Sequence, residues 1–330
     1  MTDESWASVR PIRSRSQVMA GLGFLAGKGE VTREQLKDEL LKERRAREYN
    51  RANVFALNKL PVSPLGAQKA YEVMVTQFVR LMKYSGLIEA DGKIIRGTGA
   101  CNEIAARFLI SEEEAEAYFL GRVTNSRFTS YWRFLKQLKA VGGVRIPPEL
   151  AKRDDPRLRQ HLYHLGFPIN VVSFFTLRDF YYDFGLLNYL IGEQGELILP
   201  TYTFDSNEGE GYELHFQAPE AVVYYSKKVP QENFEAALLR NYEVMSGGRD
   251  VIVGLIELRE ATCSELEVSE RTFNKLFESS LSHPASVRIR PSIGDLLVEG
   301  RSGRLTKVLT LPMSKTKYPY TLVRVSRLGA

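Results

Sequence analysis

Glycines and prolines divide this chain into short amphipathic stretches, and the order of these stretches limits the folds that it can adopt. Residues 16–28 place Val18, Leu22 and Leu25 on one side, which predicts a helix that ends at two nearby glycines. No stretch reaches the roughly 18 to 20 uninterrupted apolar residues that a membrane span requires. We therefore expect compact helical units and no membrane partner.

Two further helices and a hairpin are predicted in the amino-terminal region. Thr32 starts the second helix, and Gln35 completes a capping box with it. After two prolines, residues 65–85 repeat apolar side chains at spacings of three and four, which predicts the third helix. Residues 87–95 then predict two short strands joined by an Asp-Gly turn.

The carboxyl-terminal region repeats this order of elements. Residues 251–258 predict a first apolar helical segment, and residues 262–266 predict a short second helix. Ser269 can cap a longer helix that runs from Glu270 to about Leu281. Short strands are expected after it, at residues 287–289, 296–298 and 305–311.

Helix, helix, longer helix and hairpin in this order resemble a winged helix, a trihelical unit with a projecting hairpin, or wing. The segment around Ser269 is similar to the helix-turn-helix of bacterial regulators, whose last helix enters the major groove of DNA. The resemblance implies a mainly α fold with small β-hairpins (α+β), built from tandem winged-helix modules. It also implies that the outward positions of the last helix face DNA: Arg271, Thr272, Asn274 and Lys275.

We predict three domains. Residues 1–100 and 216–330 form the two winged-helix domains, and residues 101–215 form a middle domain. In the middle domain, a capping box at Ser111 predicts a helix, and aromatic-rich helices are expected at residues 124–140 and 174–184. An elaborated winged helix and a helical linker domain both fit this region, and its aromatic side chains are expected in the core rather than stacked on bases.

Positive charge is concentrated at the two ends of the chain. Residues 1–60 hold 12 Lys and Arg against 8 Asp and Glu, and residues 284–330 hold nine against two. Such ends suit a polyanion because each neutralised phosphate releases condensed counterions, although a solvated charged surface is the alternative. Outside the last helix, the predicted DNA-binding residues are Arg44, Arg45, Arg47, Arg51, Arg288, Arg290, Arg301, Arg304 and Lys307.

The sequence contains fragments of several enzyme motifs, but none stands in the context that its chemistry requires. Residues 21–26 fit the letters of a dinucleotide fingerprint, but a helical pattern precedes them where a strand is needed. His161 and His164 lack two further ligands for zinc. Asp250 with Glu257 is the nearest approach to a nuclease site, and an apolar buried segment explains it as well. We predict no cofactor, no metal and no catalytic residue.

We therefore expect a non-catalytic protein that binds double-stranded DNA, as an accessory or regulatory subunit in prokaryotic defence, plasmid maintenance or transcription. The alternative is a winged-helix scaffold that binds a protein partner in a larger DNA-processing or chromosome-organising complex. Other protein subunits are expected as partners, and a homodimer is compatible with the sequence. Two distant cysteines and the lack of a signal peptide favour the cytoplasm, at the nucleoid if DNA is bound.

Overall fold

The computed structural model of this chain describes residues 15–42, 64–125, 129–150, 156–192, 194–203, 209–217, 223–292 and 322–328. The fold is mainly helical with small antiparallel sheets, so the predicted α+β class is confirmed. The helices are α1 (Arg15–Lys28), α2 (33–42), α3 (Pro64–Tyr84), α4 (Gly99–Phe108), α5 (Glu112–Thr124), α6 (Ser130–Ala140), α7 (Pro156–His164), α8 (Val171–Asp183), α9 (Gln231–Ser246), α10 (Leu255–Leu266) and α11 (Glu270–Ser282), with a short 3-10 helix at Pro148–Leu150. The strands are β1 (Glu30–Thr32), β2 (Ile88–Asp91), β3 (Ile94–Gly97), β4 (Val144–Ile146), β5 (Leu190–Ile191), β6 (Leu197–Leu199), β7 (Tyr212–Gln217), β8 (Val223–Lys227), β9 (Val253–Gly254), β10 (Val287–Ser292) and β11 (Leu322–Arg327).

The chain divides into two compact units. Unit 1 comprises Met1–Phe184 and Leu214–Tyr225, and unit 2 comprises Gly185–Glu213 and Ser226–Ala330. The three domains expected from the sequence stay a prediction. Within the described parts of both units, no helix has the length and apolar character needed to cross a bilayer.

Unit 1 begins with the amino-terminal motif, defined as α1 to β3. Its sheet has the order β1-β3-β2 and is antiparallel throughout, so the first strand pairs with the last. The β2–β3 hairpin turns at Gly92, whose φ of 57° lies in the left-handed region, so the predicted Asp-Gly turn is confirmed. Buried side chains of the three helices form the core below this sheet, among them Leu22, Leu36 and Leu81.

A close helix contact explains the glycine pair that mimics a dinucleotide fingerprint. Gly21 lies inside α1, where a Cβ atom would approach the Phe78 ring of α3 to 2.6 Å. No turn exists there to present backbone N–H groups to a phosphate, because the helix continues to Lys28. The glycine therefore serves packing between α1 and α3.

The rest of unit 1 encloses an aromatic core. Phe134 of α6, Phe174 and Tyr181 of α8, and Phe167 before it are fully buried and contact one another through stacked and edge-on rings. The predicted core role of these aromatics is confirmed. The boundaries differ from expectation, because α5 extends to Thr124 and α6 begins only at Ser130.

Unit 2 contains the carboxyl-terminal motif, defined as α9 to β11. Its sheet has the order β10-β11-β9, so again the first strand pairs with the last. The first helix of this motif is α9. The predicted helical segment at 251–258 is correct only for residues 255–258, which begin α10, because residues 253–254 form β9; α10 also includes the predicted short helix at 262–266. β9 consists of Val253 and Gly254 and is too short for an alternating pattern to reveal.

Helix starts with a side-chain cap were predicted correctly at Thr32, Ser111 and Ser269. The start of α8 was not, because Asn170 Oδ1 accepts from the Ser173 N–H at 2.8 Å and the helix begins at Val171 instead of residue 174. The Thr32 N–H donates to Gln35 Oε1 at 2.8 Å, and the Gln35 N–H donates to Thr32 Oγ1 at 3.2 Å. Ser111 Oγ accepts from the Glu114 N–H at 3.1 Å, and Ser269 Oγ accepts from the Thr272 N–H at the same distance. The Thr32 capping box and the predicted cap of α11 are thus present, whereas at Ser111 only the cap is present, because the Ser111 N–H donates to the Arg107 carbonyl at 3.0 Å instead of to the Glu114 side chain.

Candidate nucleic-acid interface

The turn between α10 and α11 sets the direction in which α11 begins. Glu267 takes a left-handed conformation with φ of 57°, and the Val268 N–H donates back to the Cys263 carbonyl at 3.1 Å. Ser269 then caps α11, and Phe273 and Phe277 bury the inner face of the helix in the core of unit 2. The outer face is the one that the sequence assigns to DNA.

The four predicted outward residues of α11 do not share one environment. Arg271, Thr272 and Asn274 are half-buried, and only Lys275 is exposed. The Thr272 hydroxyl lies 3.0 Å from Ser269 Oγ, within hydrogen-bond distance. Their role in binding DNA stays a prediction, but three of the four side chains belong partly to the interior of unit 2.

A buried ion pair joins α10 to the first residue of α11. Arg259 Nη2 lies 3.0 Å from Glu270 Oε2, and the two side chains are only 2% and 3% exposed. Arg259 Nη1 also donates to Asn274 Oδ1 at 3.4 Å. Because a buried charge is costly without a partner, these contacts hold the start of α11 firmly against α10.

Asn188, from the segment before β5, also forms hydrogen bonds with the start of α11. Its Oδ1 accepts from the Glu270 N–H at 2.9 Å, and its Nδ2 donates to the Val268 carbonyl at 3.1 Å. The same Nδ2 lies 3.3 Å from the hydroxyl of Tyr202, and burial raises the pKa of Tyr202 so that this hydroxyl stays neutral. Thr203 Oγ1 donates to the Leu186 carbonyl at 2.8 Å and ties the two ends of the segment together.

The pair of strands β10 and β11, called the ribbon below, presents arginines on its outer face. Buried and exposed residues alternate along β10: Val287 and Ile289 are buried, whereas Arg288 and Arg290 are exposed. Arg290 lies directly opposite Arg324 in the strand register, so the two side chains share this outer face. Among the described residues, the ion-pair partner of Arg324 is Asp250 at 3.4 Å, and neither Arg288 nor Arg290 has one.

Seven predicted DNA-binding residues lie outside the described residues, so their placement is not part of the site: Arg44, Arg45, Arg47, Arg51, Arg301, Arg304 and Lys307. The last three belong to residues 293–321, which connect β10 to β11. Since Ser292 pairs with Leu322, this connection of 29 residues leaves and re-enters at the same end of the ribbon. It carries five Lys and Arg against two Asp and Glu.

Glu235 of α9 anchors the first residues of the ribbon. Its carboxylate accepts backbone N–H groups of three consecutive residues, Ala285, Ser286 and Val287, and also the Ser286 hydroxyl. Desolvation alone would raise the pKa of Glu235, but these hydrogen bonds outweigh it and lower the pKa to about 2. Sequence reasoning missed this contact, as it missed Asn188 and the pairing of Arg259 with Glu270.

The candidate catalytic and metal-binding residues are not assembled into a centre. Asp250 pairs with Arg324 at the surface, and His161 Nε2 lies 3.0 Å from the Arg145 carbonyl. Desolvation raises the pKa of the Cys101 thiol to about 11, so it stays protonated at neutral pH. In the parts of the chain that the structure describes, no group of three or more His, Cys, Asp or Glu could hold a metal ion.

Comparisons with known proteins add nothing to this description of the site. No protein-family model, no curated protein and no solved structure matches the chain.

Proposed function

We propose that this chain binds double-stranded DNA through the ribbon of a carboxyl-terminal winged helix and acts as an accessory or regulatory subunit. The observation that carries the proposal is the opposition of Arg290 and Arg324 on an exposed face that also bears Arg288. Like charges directly opposite each other destabilise a strand pair. Asp250 offsets the charge of Arg324 at 3.4 Å, and a polyanion laid along this face would offset the charge of Arg288 and Arg290 as well.

The topology supports the winged-helix part of the proposal. Both terminal motifs run helix, strand, helix, helix, strand, strand, and in both the first strand pairs with the last. This is the order of a winged helix, in which the last two strands form the wing. Under this proposal the ribbon of unit 2 corresponds to the wing.

A salt titration with a charge-matched control tests the proposal. Three phosphate contacts predict that the logarithm of the affinity for duplex DNA falls with the logarithm of salt concentration at a slope of about −3 or steeper. The Arg288→Ala/Arg290→Ala variant should bind about 10- to 30-fold more weakly at physiological salt, with a slope shallower by about 2. The control variant Arg96→Ala/Arg107→Ala loses the same charge from side chains already paired with glutamates, and its affinity should change less than threefold. Equal losses in both variants would contradict a specific role of the ribbon.

The second candidate function, a scaffold subunit that binds a protein partner, is favoured by exposed apolar side chains in unit 2. Val244 is 81% exposed near the end of α9, and Ile252 is 50% exposed before β9. Exposed apolar patches mark protein interfaces when they are contiguous. Failure to bind any duplex at low salt, together with a co-purifying chain that is lost in the Val244→Asp/Ile252→Asp variant, would favour this function.

A further inference from the structure

The residues at which α11 begins are buried, so a ligand cannot reach them. Val268, Ser269 and Glu270 are 2%, 5% and 3% exposed, although they stand where a helix-turn-helix would present its last helix to DNA. A helix can read base edges only if the side chains and backbone of its first turns enter the groove. In this chain other residues of unit 2 cover the start of α11.

The polar groups at this helix start are already engaged in hydrogen bonds. The Glu270 N–H donates to Asn188, and the Thr272 N–H donates to Ser269. The Glu270 carboxylate pairs with Arg259, which also donates to Asn274 Oδ1. Asn274 and Thr272 are the side chains that would otherwise contact base edges, and both are partly committed inside the protein.

The segment 185–203 fills the space beside the helix. A Cβ atom on Gly185 would lie 2.7 Å from the Arg271 Cδ atom, so backbone packs directly against the Arg271 stem. Asn188 is buried and the half-buried Tyr202 of the same segment is hydrogen-bonded to it, and Asn188 in turn bonds to Val268 and Glu270. Removing this segment from the helix would break the bonds of a side chain that is 1% exposed.

We infer that α11 does not read bases and that unit 2 binds duplex DNA of any sequence through its phosphates; this inference rests on the proposed function. The exposed cations of unit 2 support it, because Arg288 and Arg290 lie on a strand face and Lys275 is the exposed basic side chain of α11. Arginine and lysine on such surfaces neutralise phosphates without regard to sequence. The resemblance to winged helices implies that the last helix reads the DNA sequence. In this chain the start of that helix is buried, so we expect no sequence preference from it.

The test is a selection of bound duplexes from a randomised pool, run with the full chain and with the Arg271→Ala/Lys275→Ala variant. We expect no enriched motif from either protein, and a loss of affinity in the variant that is the same, about three- to fivefold, for every duplex because Lys275 no longer neutralises a phosphate. A motif enriched by the unsubstituted chain but not by the variant would overturn the inference. The single variant Lys275→Ala, changed at an exposed position, repeats the comparison without altering the packing of Arg271.

A different result would defeat the proposed function instead. If the full chain bound no duplex at low salt, DNA binding itself would be excluded, and the inference would fall with it. A motif that depends on Arg271 or Lys275 defeats only the inference and leaves duplex binding intact. The two failures therefore give different observations.

Discussion

The two terminal motifs share one topology and differ in what their outer sheet faces carry. In the amino-terminal motif, Arg96 lies in register between Glu89 on one neighbouring strand and Glu30 on the other. At the corresponding place in the carboxyl-terminal motif, Arg324 lies opposite Arg290. The first sheet face pairs its arginine with Glu30 of a neighbouring strand, whereas the second brings two arginines together, of which Arg324 pairs with Asp250 outside the strands. Topology follows from packing in both motifs, whereas the charge pattern distinguishes their surfaces.

The connections between the last two strands of the two motifs differ in length. Gly92 and Lys93 form a two-residue turn between β2 and β3, whereas 29 residues separate β10 from β11. A two-residue turn fixes a tight hairpin. The longer connection, residues 293–321, lies outside the described residues, and its sequence holds five Lys and Arg against two Asp and Glu.

The largest expected effect concerns stability. Arg259→Ala leaves Glu270 charged and buried without its partner, which should cost about 3 to 5 kcal/mol of unfolding free energy. Arg240→Ala in the same unit removes an exposed pair with Glu265 and should cost less than about 1 kcal/mol. Hydrogen exchange would locate the loss in α11 rather than α3. Equal protection of α11 in both variants would show that the buried ion pair stabilises α11 no more than the exposed pair does.

The next effect is a dependence on pH that should be confined to the carboxyl-terminal motif. The pKa of Glu235 is lowered from 4.5 to about 2 in the folded state, so its stabilising contribution is complete above about pH 4.5 and is lost as pH falls towards 2. The size of the lost contribution is roughly 3 kcal/mol. Urea denaturation of Glu235→Gln, followed through α11 and the ribbon, should lack this acid-dependent part. An unchanged pH profile would contradict the anchoring role of the carboxylate.

A charge reversal should give the ribbon the charge pattern of the β2–β3 hairpin. Arg290→Glu places a glutamate opposite Arg324, as Glu89 lies opposite Arg96, and should lower the affinity for duplex DNA about tenfold at physiological salt. Arg96→Glu changes the chain by the same charge and should alter the affinity less than threefold. Fluorescence anisotropy with a labelled duplex measures both. A larger loss from Arg96→Glu would move the DNA-binding surface to the amino-terminal motif.

The smallest effect separates two glycines of one helix. Gly21→Ala drives a Cβ atom into the Phe78 ring and should destabilise unit 1 by about 1 to 2 kcal/mol, even after the better helix propensity of alanine is counted. Gly23→Ala meets nothing within 4 Å and should stabilise the protein by up to about 1 kcal/mol. Thermal unfolding of both variants would show opposite shifts in melting temperature. Shifts of the same sign would mean that α1 and α3 do not pack this closely.

The parts of the fold that the sequence predicts are those defined by neighbours along the chain. The Thr32 capping box, the Ser111 cap and the turn at Gly92 each involve residues one to three positions apart, so the residue types are enough to predict them. The start of α11 at Ser269 belongs to the same class. Residue types with a strong local hydrogen-bonding preference determine these features before any tertiary contact forms.

The candidate site depends on contacts that no local pattern records. Asn188 reaches the Glu270 N–H across 82 positions, and Glu235 reaches Ser286 across 51. One signal was present: Arg259 falls among Leu255, Leu258 and Thr262 on the buried stripe of α10, where an arginine requires a partner. That position predicts a buried acid nearby but does not say which one, so the closure of the helix start became visible only in the structure.

The carboxylate of Glu235 has a consequence for how a nucleic acid can be held. Three successive peptide N–H groups converging on one point form an anion-binding concavity of the kind that proteins use to grip phosphate with main chain alone. Here the protein supplies its own anion, the Glu235 carboxylate, so these N–H groups are occupied at the start of the ribbon. Under the proposed function a nucleic acid at this edge is bound by side chains, whose contribution single substitutions can change without altering the backbone.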